Sequence, residues 1–296
     1  MESVAVASDP GSRAFLQYLQ MSRGYPTKSH RMNQATLLPS SVCYSGTEGS
    51  ATWEGHDVED DLRFNRYLRD VVSPRIAGSD NSFESTLLGL ATTGMETEFV
   101  GRLLNATSEP KSWEIGEALA ECLLRDGADR EVHWPWNTVR DRRTPRASLP
   151  GADLVGFQCE GDAVLLLFGE VKTSSDRSTP PSVMNGGSGM AWQLERSASQ
   201  LDVQRSLLQW LYARCATDLH LQLYEKAVAR YLSSEGTDFL LVGVLIRDTE
   251  PSELDLKARG RSLAAALPQP TRIELVAWYL PVRIAKWPEV LQGITS

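Results

Sequence analysis

The segment 151–175, GADLVGFQCEGDAVLLLFGEVKTSS, constrains the fold of this chain more than any other. An apolar run carrying Asp153 reaches a turn at Glu160, Gly161 and Asp162 and returns through a hydrophobic stretch from Ala163 to Val171. Side chains alternate across a strand, so Val164, Leu166 and Phe168 share one face and Leu165, Leu167 and Val171 the other. A strand apolar on both faces must be covered on both, which predicts a central strand with layers packed on either side, an α/β architecture. The strand ends abruptly in Glu170, Val171 and Lys172. Glu170 and Lys172 point the same way and Val171 the opposite way, so two acids and a lysine meet at one end of the hairpin. Placing a carboxylate and an ammonium there is costly unless they are paired or bind a metal. A plain Glu170–Lys172 ion pair is one reading, and a cation site beside a reactive water is the other.

Context separates this copy of the pattern from chance ones. An acid two residues before a lysine also occurs at Glu109 with Lys111 and at Asp255 with Lys257. Glu109 precedes Pro110 in a polar segment, and Asp255 lies in a helical, charge-mixed stretch, so neither follows a buried strand. Upstream, Ser112 to Gly127 reads as a helix with Ser112 as N-cap, Glu114 in the positive first turn and Gly127 closing the end. Its apolar stripe runs through Ile115, Leu119, Cys122 and Leu123 and continues through Ala120, Trp113 and Leu124. Glu117 falls on the border of that stripe, while Glu114 and Glu121 lie farther out, where a solvated face is expected. Downstream, Met190 to Arg214 has helical periodicity, with Gln193, Ser197, Gln200 and Gln204 forming one polar stripe between leucine-rich flanks. That stripe fits a groove-facing position or an interhelical hydrogen-bond role.

Asp153, a hairpin, then Glu170, Val171 and Lys172, preceded by a helix bearing an acid, resembles the PD-(D/E)xK nuclease superfamily. The resemblance covers roughly Ser112 to Asp248. The proline expected just before the aspartate stands three positions ahead, at Pro150. The resemblance implies a restriction-endonuclease-like core of helix, three strands, helix and strand, with its site where the second and third strands diverge. Here an extra C-terminal strand and helix and an N-terminal accessory region would be added. It implies Asp153, Glu170 and the Val171 carbonyl as ligands of Mg²⁺, with Mn²⁺ able to substitute, since hard oxygen donors suit these cations. Lys172 would orient or deprotonate the attacking water, or stabilise the developing charge. Glu117 is the choice for the helix-borne acid, holding a water of the metal shell or a second metal. Gln193 is the position from which an amide would orient water or phosphate.

Nucleic-acid binding should leave an electrostatic trace, yet the chain carries net charge −8. This argues against a broad DNA-coating surface. Locally the balance reverses: Arg130, Arg140, Arg142, Arg143 and Arg146 cluster before Asp153, interleaved with Trp134 and Trp136. Arginines neutralise phosphates and an exposed indole stacks on a base, so Arg140, Arg142, Arg143, Arg146 and Trp136 are the candidate substrate contacts; burial of both tryptophans in a strand is the alternative. The Ser-, Thr-, Pro- and Gly-rich loop Thr173 to Gly189 reads as a lid or a partner-contact loop.

The remainder divides into an N-terminal accessory, partner-binding region (1–108) and the nuclease domain (109–296). Residues 1 to about 60 are rich in Ser, Gly, Thr and Pro and read as extended loops, followed by helical stretches around Leu62 to Val72 and Phe83 to Asn105. Leu219 to Leu232 should be helix, Phe239 to Arg247 and Ile273 to Leu280 strands, and Arg283 to Gln292 a closing helix with Trp287 turned inward. No run of about 18 apolar residues is present and the start lacks signal-peptide character, so a cytoplasmic protein without a membrane span is expected. Four dispersed Cys and four dispersed His give no metal-like spacing. DNA is the expected substrate ahead of RNA on family frequency. The acidic balance and accessory region fit an endonuclease working with a protein partner such as an ATPase or helicase, in a prokaryotic defence, restriction or repair system, with homo-oligomerisation open. The rival reading is a non-catalytic nucleic-acid-sensing or scaffold subunit that keeps the fold. Intact Asp153, Glu170 and Lys172 speak against it. A small-molecule enzyme would need a phosphate loop, and the run 185–189 lacks its lysine and spacing.

Overall fold

The doubly apolar strand lies inside a seven-stranded mixed sheet, as its two-sided burial requires. The computed structural model describes residues 37–77, 82–106, 109–127, 130–136 and 151–293, all within one unit spanning 36–296. In chain order the elements are β1 (Ser41–Glu48), β2 (Ala51–Asp57), α1 (Asp61–Tyr67), a π-helical turn (Leu68–Val72), α2 (Ser73–Ala77), α3 (Ser82–Leu90), α4 (Gly94–Asn105), α5 (Ser112–Asp126), β3 (Glu131–His133), β4 (Leu154–Glu160), β5 (Ala163–Ser174), α6 (Met190–Ser199), α7 (Leu201–Tyr212), α8 (Asp218–Ser233), β6 (Leu240–Arg247), α9 (Lys257–Ala266), β7 (Arg272–Tyr279) and α10 (Trp287–Leu291). Their order across the sheet is β1-β2-β7-β6-β5-β4-β3. Strands β2, β7, β6 and β5 run parallel. Antiparallel neighbours flank them, β1 at one end and β4 with β3 at the other.

Two cores sandwich the sheet. On one face Val164, Leu166 and Phe168 of β5 and Leu241 and Leu245 of β6 pack beneath Met190, Leu194 and Leu207 of the α6–α7 layer. On the other, Leu167, Val171, Val242 and Val244 pack under Ile115 and Leu119 of α5, with Phe64 and Trp287. Each such side chain taken fully out of water contributes about 1.5–3 kcal/mol, which makes the two-sided burial of β5 and β6 the main cohesive force. Helix α5 comes close to β5 because residue 116 is glycine: a Cβ there would meet the Thr173 Oγ1 at 2.1 Å.

Several expectations change in the structure. The N-cap of α5 is Lys111, whose backbone N–H donates to the Glu114 carboxylate at 2.7 Å, and Ser112 is the first helical residue. Glu121 is fully buried rather than solvated. The reason is that α2 covers that side of α5 and supplies Arg75, which pairs with the Glu121 carboxylate. The helix expected over Met190 to Arg214 is two helices, broken at Gln200, whose backbone is extended (φ −99°, ψ 109°). Side chains satisfy carbonyls near the break: the Ser197 hydroxyl donates to Gln193 O (3.1 Å) and the Gln204 amide to Ala198 O (2.6 Å). Such local bonds compete with the helical ladder. Gln204 and Ser197 are buried while Gln200 is exposed, so the polar stripe does not persist as one face.

The loops expected up to residue 60 are, over 41–57, a β-hairpin. Ala51, Trp53 and Gly55 are buried and alternate with Thr52, Glu54 and His56, the period of two that marks a half-buried strand. β2 pairs with β7 from Ala51↔Ile273 to Asp57↔Tyr279, so the sheet crosses the 108/109 division drawn from composition. Helices occupy the stretches expected around 62–72 and 83–105, helix and strands the expected 219–232, 239–247 and 273–280, and Trp287 is buried. Among the described residues no helix is long and apolar enough to cross a membrane.

Candidate active site

The β4–β5 ladder ends at the pairing of Leu154 with Gly169, and the next residues on each strand carry the acids. Asp153 N donates to Gly169 O at 2.9 Å, and Val171 N donates to Asp153 Oδ2 at 2.9 Å. A carboxylate thus takes the place of the next backbone acceptor, which fixes the Asp153 side chain against β5. In an antiparallel pair the N–H and C=O of one residue point to the same side, so the Val171 carbonyl also faces the place where β4 begins.

Glu170 is 3% exposed. It lies in register with Gly243 of β6, and Met190 and Leu194 close over that glycine from α6. Lys172 Nζ donates to Glu170 Oε1 at 2.6 Å. Helix α6 is tied to the start of the hairpin by Ser197, whose single hydroxyl proton is shared between Gln193 O and Gly151 O, the latter at 3.2 Å. Burial first, and then the neighbouring Asp153 charge, push the Glu170 carboxyl up to about 8, with Lys172 opposing them. The site therefore draws together more negative charge than one lysine offsets.

This sets a stability prediction with a definite sign. Unfolded, Glu170 titrates near the ordinary glutamate value of 4.5; folded, it keeps its proton to about 8. The folded state holds the extra proton in that window, so the Glu170 contribution to stability is unpenalised below about 4.5 and is lost as pH rises through about 8. Glu170→Gln removes the titration. In EDTA, urea unfolding of this variant and the native chain should differ little at pH 5 and diverge toward pH 9, the variant becoming more stable by about 4 kcal/mol. A pH-independent difference would show that Glu170 is ionised throughout.

The other candidates are distributed around this centre. Glu117 is half-buried on α5, one residue after the glycine that abuts Thr173, and thus approaches the end of β5 from the opposite layer. Among the described residues no three or more His, Cys, Asp and Glu side chains come together as a metal-binding group. Gln193 is half-buried on α6 and its amide donates to Ser188 O at 3.0 Å, in the loop just before that helix. Arg140, Arg142, Arg143 and Arg146 lie outside the described residues. Arg130 pairs with Glu274 at 2.6 Å.

Trp136 is buried, contrary to the base-stacking role expected of it. Strand β3 ends at His133, opposite Phe157, and the indole N–H of Trp136 donates to Val155 O at 2.8 Å, the β4 carbonyl just beyond the reach of β3. The Trp134 indole donates to Glu121 O at 3.1 Å.

One buried charge network escaped the sequence reading. Arg247, at the end of β6, donates to Asp255 Oδ2 at 2.5 Å, and the Tyr279 hydroxyl lies 2.9 Å from the same oxygen. The second guanidinium nitrogen donates to the carbonyls of Asp176 and Ser178, the latter at 3.1 Å. Arg247 thereby fastens the segment that leaves β5. Asp176 adds to this anchoring: its carboxylate accepts from the N–H groups of Ser178 and Ser182, both at 2.9 Å, which hold it well below the usual carboxylate range. The start of the loop from Thr173 to Gly189 is thus tied down. The signal was present in LLVGVLIRD, another wholly apolar strand ending in an ionisable residue.

No protein-family model matches this chain, and no curated protein matches it.

Proposed function

We propose that this protein is a metal-dependent nuclease of PD-(D/E)xK type, hydrolysing phosphodiester bonds in DNA ahead of RNA. The observation that carries the reading is the meeting of Asp153, Glu170 and Lys172 at one end of the β4–β5 hairpin, with Lys172 Nζ 2.6 Å from Glu170. The chain order α5, β3, β4, β5, a helical layer and β6 supports a restriction-endonuclease-like core, to which β7, α10 and the β1–β2 hairpin are additions.

The donor set suits a hard divalent cation. Asp153 is close enough to Glu170 for its charge to raise the proton affinity of the Glu170 carboxyl, and a buried excess of carboxylate charge is what such an ion offsets. Asp153, Glu170 and the Val171 carbonyl would hold it. When bound, Mg²⁺ or Mn²⁺ supplies Lewis-acid neutralisation of phosphate charge and lowers the pKa of a coordinated water. The chain's own groups do the rest. The Val171 N–H holds Asp153 in one orientation, the apolar cover from Met190 and Leu194 limits water beside Glu170, and Lys172 presents an N–H⁺ to the attacking water or the developing phosphorane charge. Glu117 and Gln193 would act from the rim, on bound water or phosphate. The net acidity of the chain fits work alongside a protein partner, such as an ATPase or helicase of a defence, restriction or repair system.

Cleavage of labelled single- and double-stranded DNA and RNA in Mg²⁺, Mn²⁺ or EDTA tests this. Metal-dependent cleavage should occur with the native chain, vanish in Glu170→Ala and fall by orders of magnitude in Lys172→Ala. If the native chain cleaves nothing and calorimetry detects no Mn²⁺ binding that depends on Glu170, the non-catalytic reading replaces this one.

A further inference from the structure

Helices α3 and α4 stand apart from both cores: among the described residues, neither contributes a side chain to the cluster on either face of the sheet. They pack on each other, and the pair turns its apolar residues outward. Met95 is 81% exposed, Leu90 70%, Phe83 64% and Phe99 57%, with Leu88 and Leu103 also exposed. Between the helices runs an open groove of about 440 Å³ floored by Leu87, Leu90, Met95, Phe99 and Val100. Monomeric proteins rarely leave a contiguous apolar area of this kind uncovered.

We infer that this helical hairpin is a self-association surface, occupied by the same hairpin of a second copy of the chain. Three observations favour a second copy. The surface is self-complementary in form: Phe83, Leu88 and Leu103 project beside the groove, and under a two-fold axis such projections from each copy meet the groove of the other, giving four helices around one apolar core. Charge does not oppose the pairing. The Glu96 carboxylate at the groove is held by the backbone N–H groups of Thr92 and Thr93, at 2.6 and 2.9 Å, and Arg102 lies over the Phe99 ring at 5.8 Å. The area is also sufficient: six large apolar side chains exposing on the order of 100 Å² each present roughly 600 Å² per chain, and roughly 1,200 Å² in a pair, which reaches the range of specific interfaces.

The site and the proposed nuclease reading are independent, so the test reads mass rather than activity. Sedimentation equilibrium of the full chain at micromolar concentration should give twice the chain mass. Met95→Glu combined with Phe99→Glu should give the single-chain mass with an unchanged far-ultraviolet spectrum, while Leu254→Glu, an equally exposed leucine elsewhere, should leave the pair intact. Should the double variant lose helix signal, Met95→Gln alone serves, and an increase in dissociation constant of about tenfold or more is expected. A native chain of single mass at all concentrations overturns the inference and leaves the surface to a different partner. A pair that survives the groove substitutions overturns it equally, by placing the interface elsewhere.

Discussion

Asp255→Ala should lower the unfolding free energy by about 3–5 kcal/mol, among the largest single-residue effects expected in this protein. Asp255 is fully buried and Arg247 nearly so. Removing the carboxylate leaves a guanidinium in the interior without its counter-charge, and deprives the Tyr279 hydroxyl of an acceptor. The effect extends outward, because Tyr279 also bonds Tyr44 of β1 at 2.8 Å and Arg247 holds the segment after β5. Urea unfolding measures the loss. Arg247→Met in the Asp255→Leu background should recover much of it, since a well-packed apolar pair of similar volume is often no less stable than a buried ion pair. A loss below about 1 kcal/mol for Asp255→Ala would place the pair in contact with water, where ion pairs contribute little.

Lys172→Ala should slow metal-dependent cleavage by about 10²–10⁴-fold, the range for removal of one positioned proton-transfer or charge-stabilising group. Its half-buried ammonium is anchored by the Glu170 carboxylate, so folding should survive and the loss should fall on kcat. A second readout separates chemistry from structure. Lys172 opposes the upward push on the Glu170 carboxyl, so in its absence Glu170 ionises at still higher pH. The acidic limb of the residual pH–rate profile should move upward in Lys172→Ala. Lys172→Arg, which keeps the charge, should leave that limb near its native position while remaining slow. An unshifted limb in the alanine variant would mean that Glu170 ionisation does not limit the rate.

The sequence disclosed those parts of the fold whose determinants are local. Strand β5 was legible because both of its faces are apolar, and the alternation that assigned Glu170 and Lys172 to one side holds in the structure. Helix α5 was legible by its stripe, yet the burial of Glu121 was not, because Arg75 arrives from a helix far earlier in the chain. Strands β1 and β2 hid behind a Ser-, Thr- and Gly-rich composition, since what stabilises β2 is a partner strand near the opposite end of the chain. Trp136 shows the same limit in one residue. An indole between arginines reads equally well as a stacking platform or a buried plug, and the unpaired Val155 carbonyl that decides the matter belongs to a strand it meets only in three dimensions.

That long-range pairing bears on how the protein is made. β2 leaves the ribosome well before β7, and the edge it must join is completed only when Ile273 to Tyr279 has emerged. Until then the β1–β2 hairpin is an isolated two-stranded unit, marginal in water, with Trp53 uncovered. Contacts so far apart in sequence form slowly, and an unpaired strand edge exposed meanwhile invites wrong partners. The nascent chain thus has a vulnerable interval lasting from the synthesis of β2 to that of β7, during which chaperone engagement would matter more than the stability of the finished fold.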